Sequence, residues 1–374
     1  MNKIKALKLF DRVFGKLFIS LAPSFKKQQS GNKSGTLEHV LFIRPGGIGD
    51  AVLLLPALKA FKAASPTATI DILCEKRNAV IFTLSDIVRH IYLYDRGCDL
   101  IRCLKNKYNM VIDTEQWHRL SAVVSFLTGA PVRIGFNTNE RGKLFTHTIP
   151  YSHDDYEIYS FFHLVGPILQ EKPSFDQNAP FIQPPLLSER LSLLLQKNGN
   201  NNQFIAIFPG ASVEERRWGG DNFGRTAVTL RQKGYNVVIL GSFCDAQDAK
   251  AIKKYVHDSI DLTGKTSLRD VAGILKQCRL LITADSGIMH LAYAIGTPTV
   301  SLFGSGIEKK WAPRGEKHII LNERLDCSPC TKFGYTPSCQ RQVECLHAIT
   351  VEKVSTAAIQ ILSQIEIGNR ARIS

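Results

Sequence analysis

The chain has 374 residues, enough for two α/β domains of ordinary size. With 44% hydrophobic and 21% charged residues it is expected to be globular rather than disordered, and its sequence shows neither the ~18-residue apolar run of a transmembrane helix nor the pattern of a secretory signal. The net charge of +14 indicates an acidic partner, either nucleic acid, an anionic membrane face or a phosphorylated substrate. We do not expect nucleic acid, because no zinc-finger spacing, RNA-binding aromatic signature or basic helical arm argues for it.

Residues 1–35 are predicted to form a basic amphipathic helix and a linker. Apolar residues recur at helical spacing from Ile4 to Leu21, and Lys and Arg are interleaved with them. This pattern is typical of a helix that lies on an anionic membrane surface. A helix packed on its own protein, or an oligomer contact, fits the pattern equally well. Residues 28–35 (QQSGNKSG) are polar and rich in Gly and Ser, as expected of a linker.

Residues 36–190 are predicted to form the first α/β domain. Predicted strands cover 39–43, 69–74, 90–94, 110–113 and 132–136, and predicted helices cover 51–64, 78–84, 100–105, 117–127 and 156–169. Strands that alternate with helices predict a parallel, doubly wound sheet. The polar, Pro-containing stretch at 170–203 includes one more predicted helix, at 186–196, and the domain boundary is expected there.

Residues 203–360 repeat the alternation and are predicted to form the second domain, with a C-terminal tail at 361–374. Predicted strands cover 204–208, 235–241, 279–283 and 297–303, and predicted helices cover 223–233, 244–255, 267–276 and 288–295. Doubly wound domains bind ligands at the carboxyl ends of their strands. We therefore expect ligands between the two domains, on the loops that follow the strands.

The first such loop is glycine-rich and reads GGIGD at residues 46–50. It has neither the spacing of a dinucleotide fingerprint nor the Lys and Ser/Thr of a P-loop. Gly47 and Gly49 let the backbone turn tightly and approach a ligand. Asp50 stands at the start of a helix, where it either caps that helix or serves as a general base.

The second loop follows the strand at 204–208 and joins small residues to a basic pair. Ser212 and its small neighbours leave room for phosphate oxygens, and Arg216 or Arg217 can neutralise them. The alternative is an exposed loop with surface arginines and a structural Trp218. Gly241 ends a neighbouring predicted strand, so groups near it are candidates for lining a base or ribose.

The third loop, Asp285-Ser286-Gly287, joins a buried strand to a helix that carries His290. Unpaired backbone N–H groups and the helix dipole favour an anion at such a helix start. Ser286 and Gly287 are therefore candidate phosphate ligands, and Asp285 and His290 are candidates for contacts to a sugar or ribose. The alternative is that Asp285 and Ser286 only cap the helix.

Four of the nine cysteines are clustered as Cys327-x2-Cys330-x8-Cys339-x5-Cys345. Four thiolates in so short a span are able to hold zinc or iron, which here would pin a loop rather than do chemistry. Two disulfides, or four small buried hydrophobes, are the alternatives. The other five cysteines are scattered and are expected to be reduced, as in a cytosolic protein.

These motifs together resemble glycosyltransferase family 9, the lipopolysaccharide heptosyltransferases. The resemblance rests on five elements that occur in one order over residues 38–360: RPGGIGD at 44–50 with LLLPAL at 53–58, FPGAS at 208–212 with RRW at 216–218, DLTG at 261–264 with the helix behind it, DSGIMHLA at 285–292 with GTP at 296–298 and LFG at 302–304, and the cysteines from Cys327 to Cys345. The N-terminal helix lies outside the resemblance. Arg216 stands where most members have lysine, which keeps the charge but changes the contact geometry.

The resemblance implies a GT-B fold, with two Rossmann-like domains, an interdomain cleft, and a sugar nucleotide held mainly by the second domain. It implies a metal-independent, inverting transfer of heptose from an ADP-sugar to a lipopolysaccharide core or related glycan. Asp50 would be the catalytic base. Ser212, Arg216, Arg217, Gly241, Asp285, Ser286, Gly287 and His290 would bind the donor. Gly47, Gly49, Asp113, Glu115 and Arg119 would bind the acceptor, with Arg133 and Lys143 as further candidates for its phosphate or carboxylate groups. Asp113 and Glu115 are also the second choice for the base.

The same resemblance implies the partners and the location of the protein. The acceptor would be an anionic glycolipid in the inner leaflet, so we expect a cytoplasmic protein held peripherally on the inner membrane, with no cofactor required for catalysis. A sugar-nucleotide epimerase of the same fold, a family 9 transferase with another glycan or a protein as acceptor, and a non-catalytic membrane-bound scaffold are the alternatives.

Overall fold

The computed structural model describes residues 3–21, 38–169, 171, 173–197, 203–333 and 335–370. The chain forms two compact units, Met1–Phe175 and Asp176–Ser374. Each unit contains one six-stranded sheet in which all strands are parallel. The predicted α/β class and the two parallel sheets are therefore confirmed.

The first unit begins with a helix and then alternates strands with helices. Its elements are α1 (Lys3–Leu21), β1 (His39–Arg44), α2 (Ile48–Ala64), β2 (Thr69–Cys74), α3 (Ala79–Phe82), β3 (Val88–Leu93), α4 (Gly97–Lys105), β4 (Met110–Asp113), α5 (Arg119–Leu127), β5 (Val132–Phe136), β6 (His147–Ile149) and α6 (Glu157–Val165). The strand order is β3-β2-β1-β4-β5-β6, so the direction of winding reverses between β1 and β4. In open α/β sheets ligands bind beside this reversal point, at the carboxyl ends of the strands.

Helices cover both faces of the first sheet. On one face Leu41 and Ile43 of β1 share a buried cluster with Cys103 of α4 and Val124 of α5. On the other face Phe42 packs edge-on against Phe61 of α2, with ring centroids 5.4 Å apart. Because side chains alternate between the faces of a strand, β1 is buried along nearly its whole length and reads as a continuous apolar run.

Helix α1 packs on α5 through one side of the part whose side chains the structure describes, residues 11 and 13–21. Asp11 and Ile19 are buried there and Gly15 lies against Arg119, whereas Val13 and Leu17 on the other side are more than half exposed. Of the three interpretations of this segment, packing on its own protein is therefore observed for the side that carries Asp11, Gly15 and Ile19. The predicted linker at 28–35 lies outside the described residues. None of the helices that the structure describes is long and apolar enough to cross a membrane.

The second unit repeats the alternation. Its elements are α7 (Glu189–Lys197), β7 (Phe204–Phe208), α8 (Gly220–Gln232), β8 (Asn236–Ile239), α9 (Ala246–Tyr255), β9 (Ile260–Asp261), α10 (Leu268–Gln277), β10 (Cys278–Ala284), α11 (Gly287–Ile295), β11 (Thr299–Leu302), α12 (Glu308–Trp311), β12 (His318–Leu321), α13 (Glu344–His347) and α14 (Val351–Arg370). The strand order β12-β11-β10-β7-β8-β9 reverses between β7 and β10. The loops after β7 and β10 are therefore where this sheet is expected to bind a ligand.

Helix α14 corrects the prediction of a tail at 361–374. It continues to Arg370, and its Ile361 and Leu362 are almost fully buried in the main core of the second unit. One face of α14 packs in this core through Val354, Ala358, Ile361 and Leu362. The helix therefore continues without a break across position 361. Residues 371–374 lie outside the described residues.

Candidate active site

The glycine-rich loop forms the entrance to α2 at the reversal point of the first sheet. Gly46 has a φ of +111°, which a residue with a side chain rarely adopts, and its N–H donates to Glu75 Oε1 at 3.1 Å. Gly47 is the N-cap of α2 in an extended conformation, and no side chain caps this helix. Asp50 lies in the first turn, so the interpretation that it caps α2 is wrong, and its partly exposed carboxylate remains available for chemistry at the positive end of the helix dipole.

Arg44, the last residue of β1, ties this loop to the segment that follows β4. Its side chain is only 1% exposed, and it donates to Pro45 O and Thr114 O at 2.8 Å each. It also donates to Glu115 Oε2 at 3.2 Å. Burial alone would lower the pKa of the Arg44 guanidinium, but the charges of Asp50 and Glu115 raise that pKa above its ordinary value. A fixed cation thus stands beside Asp50.

The carboxylates of Asp113, the last residue of β4, and of Glu115, two residues later, are engaged by the protein itself. Asp113 is fully buried and pairs with the equally buried Arg141 at 2.7 Å. Glu115, besides its pair with Arg44, accepts backbone N–H bonds from Trp117 at 3.0 Å and from His118 at 3.3 Å. These contacts hold residues 114–119 in one conformation. Contacts of Asp113 and Glu115 with an acceptor therefore remain predictions, and the bonds in place favour a positioning role for both.

Arg119, another predicted acceptor ligand, is packed between α1 and the turn after β5. Its side chain is 16% exposed, its guanidinium donates to Asn139 Oδ1, and Glu140 lies 3.8 Å away. Gly15 of α1 faces its Cβ. Arg119 therefore connects three segments of the first unit.

Glu115 gives a pH-dependent prediction. Burial would raise the pKa of its carboxyl, but the charges of His118, Arg44 and Arg141 and the Trp117 N–H lower that pKa from 4.5 to about 2. Because the folded-state value lies below the unfolded-state value, this stabilisation is fully present above pH ~4.5 and is lost as the pH falls towards 2. A shift of this size corresponds to about 3 kcal/mol at neutral pH.

We expect Glu115→Gln to be clearly less stable than the parent protein at pH 7, and the difference to shrink by about 2 kcal/mol at pH 3. Urea unfolding at the two pH values measures both free energies. Glu214→Gln, at a side chain that is 83% exposed, serves as the control and should change stability little at either pH. An equal deficit of the Glu115→Gln protein at pH 7 and pH 3 would contradict the prediction.

In the second unit, the loop after β7 is braced by Arg217. This guanidinium contacts Asp245 at 2.8 Å and Asp248 at 2.9 Å, and it donates to Ala211 O at 3.2 Å. Asp245 approaches the loop so closely that a β-carbon at Gly210 would lie 2.6 Å from its carboxylate. Gly241, after β8, faces the same Asp245. The loop therefore keeps its shape through Arg217, and the predicted donor ligand Ser212 is exposed on it.

The neighbouring Arg216 has different partners. Its Nη1 lies 2.9 Å from Asp285 Oδ2, and its Nη2 donates to the hydroxyls of Thr331 and Thr336 at 3.3 and 3.4 Å. Asp285 is 5% exposed. The structure thus brings the second and third predicted loops together, at the reversal point of the sheet, through the pair of Arg216 and Asp285.

The start of α11 completes this arrangement. Ser286 is the N-cap, and its side chain accepts from Met289 N at 3.2 Å, so its predicted capping role is confirmed. Asp285 does not cap, because its carboxylate is turned to Arg216. Gly287 begins the helix, and His290 is buried one turn further on. A guanidinium and the first N–H groups of α11 therefore lie together, which suits a phosphate.

The four clustered cysteines surround one cavity beside these loops. The cavity, of about 190 Å³, is lined by all four cysteines together with Glu215 and Ser305. All four are free thiols; burial and then the charges of the other cysteines raise the pKa of Cys330 and Cys345. The disulfide alternative is thus not observed. Within the described part of the chain no three His, Cys, Asp or Glu side chains are close enough to hold a metal ion.

The segment that carries these cysteines is joined to the donor loops by short contacts. The backbone N–H groups of Cys330 and Thr331 donate to Ser305 O at 3.1 and 2.9 Å, and Ser305 Oγ donates to Glu215 O at 3.3 Å. Thr331 is also a partner of Arg216. The cysteine-rich segment thus helps to hold Arg216 in place.

Several residues that order the site were not singled out from the sequence. Arg141, Asp245 and Thr331 each hold a predicted site residue, yet each stands in a segment without a strong pattern. One signal was available: Arg44 ends an otherwise apolar buried strand, and a charge in that position must find partners at the carboxyl edge of the sheet.

Known proteins resemble this chain over most of its length. Lipopolysaccharide heptosyltransferase 3 of Escherichia coli is 25% identical over 288 residues, which are 71% of this chain and 83% of that protein. The solved structure of E. coli ADP-heptose lps heptosyltransferase II superposes with a TM-score of 0.70 at 20% identity, covering 88% of this chain and 99% of that one. The iron-containing dodecameric glycosyltransferase TibC from enterotoxigenic E. coli H10407 has a TM-score of 0.54 at 14% identity, covering 89% and 79%.

At these identities the structural likeness shows the fold, which is the α/β, GT-B-like fold of the heptosyltransferases. The family itself follows from the sequence. The model of glycosyltransferase family 9 (heptosyltransferase) matches residues 98–338, from α4 to the cysteine-rich segment. This is more than half of the chain, and the chain therefore belongs to glycosyltransferase family 9.

Proposed function

We propose that this protein transfers a heptose from ADP-heptose to a lipopolysaccharide core or a closely related glycan, with inversion at the anomeric carbon. The observation that carries the proposal is the pair of Arg216 and Asp285 beside the capped start of α11, at the reversal point of the second sheet. A diphosphate needs cationic and N–H donors of this kind. The names of the relatives from E. coli support heptose as the sugar and lipopolysaccharide as the acceptor.

The donor is held, in this proposal, by residues of the second unit. Arg216 and the N–H groups of Ser286 and Gly287 bind the diphosphate, and Ser212 contributes its exposed hydroxyl. Asp285 orients Arg216 and, with His290, faces the ribose or the sugar. Gly241 leaves room for the nucleoside. Arg217 already has three carboxylate partners, Asp245, Asp248 and the exposed Glu214, so we assign it to bracing the phosphate loop.

Asp50 is the proposed catalytic base. It takes the proton from the acceptor hydroxyl as that oxygen bonds to the anomeric carbon, while the bond from the anomeric carbon to the diphosphate breaks and ADP leaves. Arg216 and the first turn of α11 stabilise the charge that builds up on ADP. A single displacement of this kind inverts the anomeric centre. Because Asp50 precedes the residues that the family model matches, its role rests on the glycine-loop motif and on its place beside Arg44.

The acceptor side is assigned to the first unit. Gly47 and Gly49 allow close approach, while Asp113, Glu115 and Arg119 shape the segment after β4 that would meet the acceptor. An anionic glycolipid acceptor would bring the protein to the inner face of the cytoplasmic membrane. The net charge of +14 supports a peripheral association there, since basic residues close to anionic lipid contribute about 1 kcal/mol each.

Nucleotide binding tests this proposal first. Calorimetric titration with ADP, UDP, GDP and dTDP should show that ADP binds most tightly. Asp285→Ala should strongly weaken the binding of ADP, because Arg216 loses its carboxylate partner. Transfer is then measured with ADP-heptose and a heptose-deficient core glycolipid. A preference for UDP would contradict the proposal and favour an epimerase or another transferase, and the absence of nucleotide binding would favour a scaffold. Binding of ADP without transfer to the core would point to another acceptor.

We further propose that Cys327, Cys330, Cys339 and Cys345 hold a structural iron or zinc. The four thiols line one cavity, but no three of them are close enough to hold an ion as the structure describes them, so metal binding would have to draw them together. Cys339 Sγ already accepts N–H bonds from Arg341 and Val343, which would stabilise a thiolate. The metal would pin the segment that contacts Arg216 and would take no part in the reaction. The iron-containing TibC supports iron.

Metal content tests this assignment. The purified protein should contain about one iron or zinc per chain, and Cys339→Ser should reduce the content and lower the melting temperature. Cys244→Ser, at an exposed cysteine outside the cluster, serves as the control and should retain the metal. A metal-free parent protein whose four cluster thiols react with Ellman's reagent in the native state would overturn the assignment.

A further inference from the structure

The exposed side of α1 is an unusual surface for a water-facing helix. Five large apolar residues are 37–59% exposed on it, and we call them the outer face of α1: Val13, Phe14, Leu17, Phe18 and Leu21. Single exposed apolar residues are common on proteins, but five within nine consecutive positions form a patch of the kind that marks an interaction site.

The opposite side of α1 is seated on α5. Asp11 is 4% exposed, and its Oδ1 accepts from Leu120 N at 2.7 Å, so it satisfies an N–H in the first turn of α5. His118 Nδ1 lies 3.6 Å from the other carboxylate oxygen. Ile19 is fully buried against Ala122 and Phe145. The orientation of α1 is therefore fixed by a charged anchor as well as by apolar packing.

The charges of the segment favour one partner over others. Residues 1–27 carry seven basic side chains, Lys3, Lys5, Lys8, Arg12, Lys16, Lys26 and Lys27, and a single acidic one, Asp11. Asp11 is buried on the side of α1 that packs on α5, so the acidic group does not lie on the exposed side. Lys16 is 71% exposed and lies 3.8 Å from Glu140, which offsets part of its charge. An apolar patch within a strongly basic segment complements the interface of an anionic bilayer.

We propose that the outer face of α1 docks on an anionic phospholipid bilayer, and that Asp11 fixes the docked helix to the start of α5. The anchored residues adjoin the segment at 114–119, which Arg44 and Glu115 hold in place. Docking therefore sets the position of this segment relative to the bilayer. The role of that segment in meeting a membrane-embedded acceptor rests on the proposed function, whereas the docking of α1 does not.

Vesicle binding tests the docking surface. Sedimentation of the full chain with vesicles containing phosphatidylglycerol should show binding that pure phosphatidylcholine vesicles lack. Leu17→Asp should weaken this binding about tenfold or more, because an apolar contact is replaced by a charge that the lipid repels. Ile101→Asp is the matched control, since Ile101 is 55% exposed and Leu17 is 52% exposed, and it should bind as the parent does.

Two outcomes would overturn the docking surface. One is equal binding of the Leu17→Asp and parent proteins to anionic vesicles. The other is a parent oligomer that Leu17→Asp converts to monomers in sedimentation velocity without any change in vesicle binding, which would make the outer face a contact between copies of this chain.

The anchor is tested separately with Asp11→Ala. This variant should bind anionic vesicles within about twofold of the parent, because the outer face and the basic residues are retained. In Asp11→Ala, transfer to a core acceptor embedded in vesicles should fall several-fold, whereas transfer to a detergent-free soluble core fragment should not change. Asp11→Asn keeps an oxygen acceptor for Leu120 N and should restore transfer to the vesicle-embedded acceptor.

Equal loss on both acceptors, or on neither, would overturn the anchoring role. If no variant and no parent protein transfers sugar to either acceptor, the proposed function fails, and the vesicle arm still decides the docking of α1.

Discussion

Asp50→Asn is expected to lower kcat about 10²- to 10⁴-fold while leaving the affinity for ADP within about twofold. Asparagine has nearly the same shape as aspartate but cannot take a proton from the acceptor hydroxyl. Gly47 caps α2 without any side-chain bond, so the exchange breaks no cap. The donor contacts proposed here belong to residues of the second unit, which is why nucleotide binding should persist.

The appropriate control is Asp99→Asn. Asp99 is the third residue of α4, as Asp50 is the third residue of α2, so both exchanges remove the same favourable interaction with a helix dipole. Each exchange also removes one charge contact, that of Asp99 with Arg102 and that of Asp50 with Arg44. Both variants should remain folded in urea unfolding, and only Asp50→Asn should lose turnover. Steady-state transfer rates and ADP titrations measure the two effects. A turnover within about tenfold of the parent would remove Asp50 from the role of base.

The Arg44 guanidinium gives this prediction a further consequence. It is held by Thr114 O and Glu115 and experiences the charge of Asp50. In Asp50→Asn this buried cation loses one of its compensating charges but keeps its hydrogen bonds. The variant should therefore fold, which makes the loss of turnover interpretable.

The core of the fold was predictable where apolar runs are bounded by turn residues. The structure gives β2, β4, β5 and β7 the predicted bounds. β2, β4 and β7 are runs of mainly buried residues, and β5 is buried over its last three residues. The strands β6, β9 and β12 were missed. Two of them have three residues or fewer, and β12 is only partly buried, so neither length nor burial leaves a periodic signal.

The beginning of α2 shows a different limit. The sequence predicts a helix from residue 51, whereas α2 begins at Ile48. Glycine at position 49 weakens the helical pattern on intrinsic preference. The early start follows from tertiary bonds, in which Glu75 holds the loop before Gly47. Whether α2 begins at residue 48 or at residue 51 decides whether Asp50 is a cap or a candidate base.

The candidate site was predictable as a set of loops but not as a set of contacts. Asp113, at the end of β4, and Glu115, just after it, are predicted from the sequence to be ligands because they lie at the carboxyl edge of a sheet. Their partners, Arg44 and Arg141, are 71 and 28 positions away, respectively. Pairings across such separations depend on how the loops fold, which no local pattern encodes. The positions of these two carboxylates relative to the sheet could therefore be inferred from the sequence. Whether the carboxylates are available to bind a ligand could not.

Arg216 and Arg217 present the sharpest case, because sequence gives two adjacent residues of one type with one expected role. Their exposure is nearly the same, 16% and 17%. Their partners differ. Arg216 has one carboxylate, just after β10, and two weakly bonded hydroxyls. Arg217 has Asp245 and Asp248 and, at 3.5 Å, the exposed Glu214. Arg216 is therefore the cation that can still bind a ligand, whereas Arg217 stabilises the fold of the loop.

Arg216→Ala is therefore expected to raise the Kd for ADP about 10- to 100-fold, the effect of losing a charge-assisted bond to phosphate. Arg217→Ala should instead lower stability by a few kcal/mol, because it leaves the almost buried Asp245 without its cation. At a temperature where both variants are folded, the Kd of Arg217→Ala for ADP should stay within a few-fold of that of the parent. The opposite pattern, with Arg217→Ala weakening ADP more than Arg216→Ala, would reverse the two roles. Arg216→Lys is expected to have a Kd for ADP between those of the parent and Arg216→Ala. A lysine keeps the charge but cannot contact Asp285 and both threonine hydroxyls at once, as the guanidinium does.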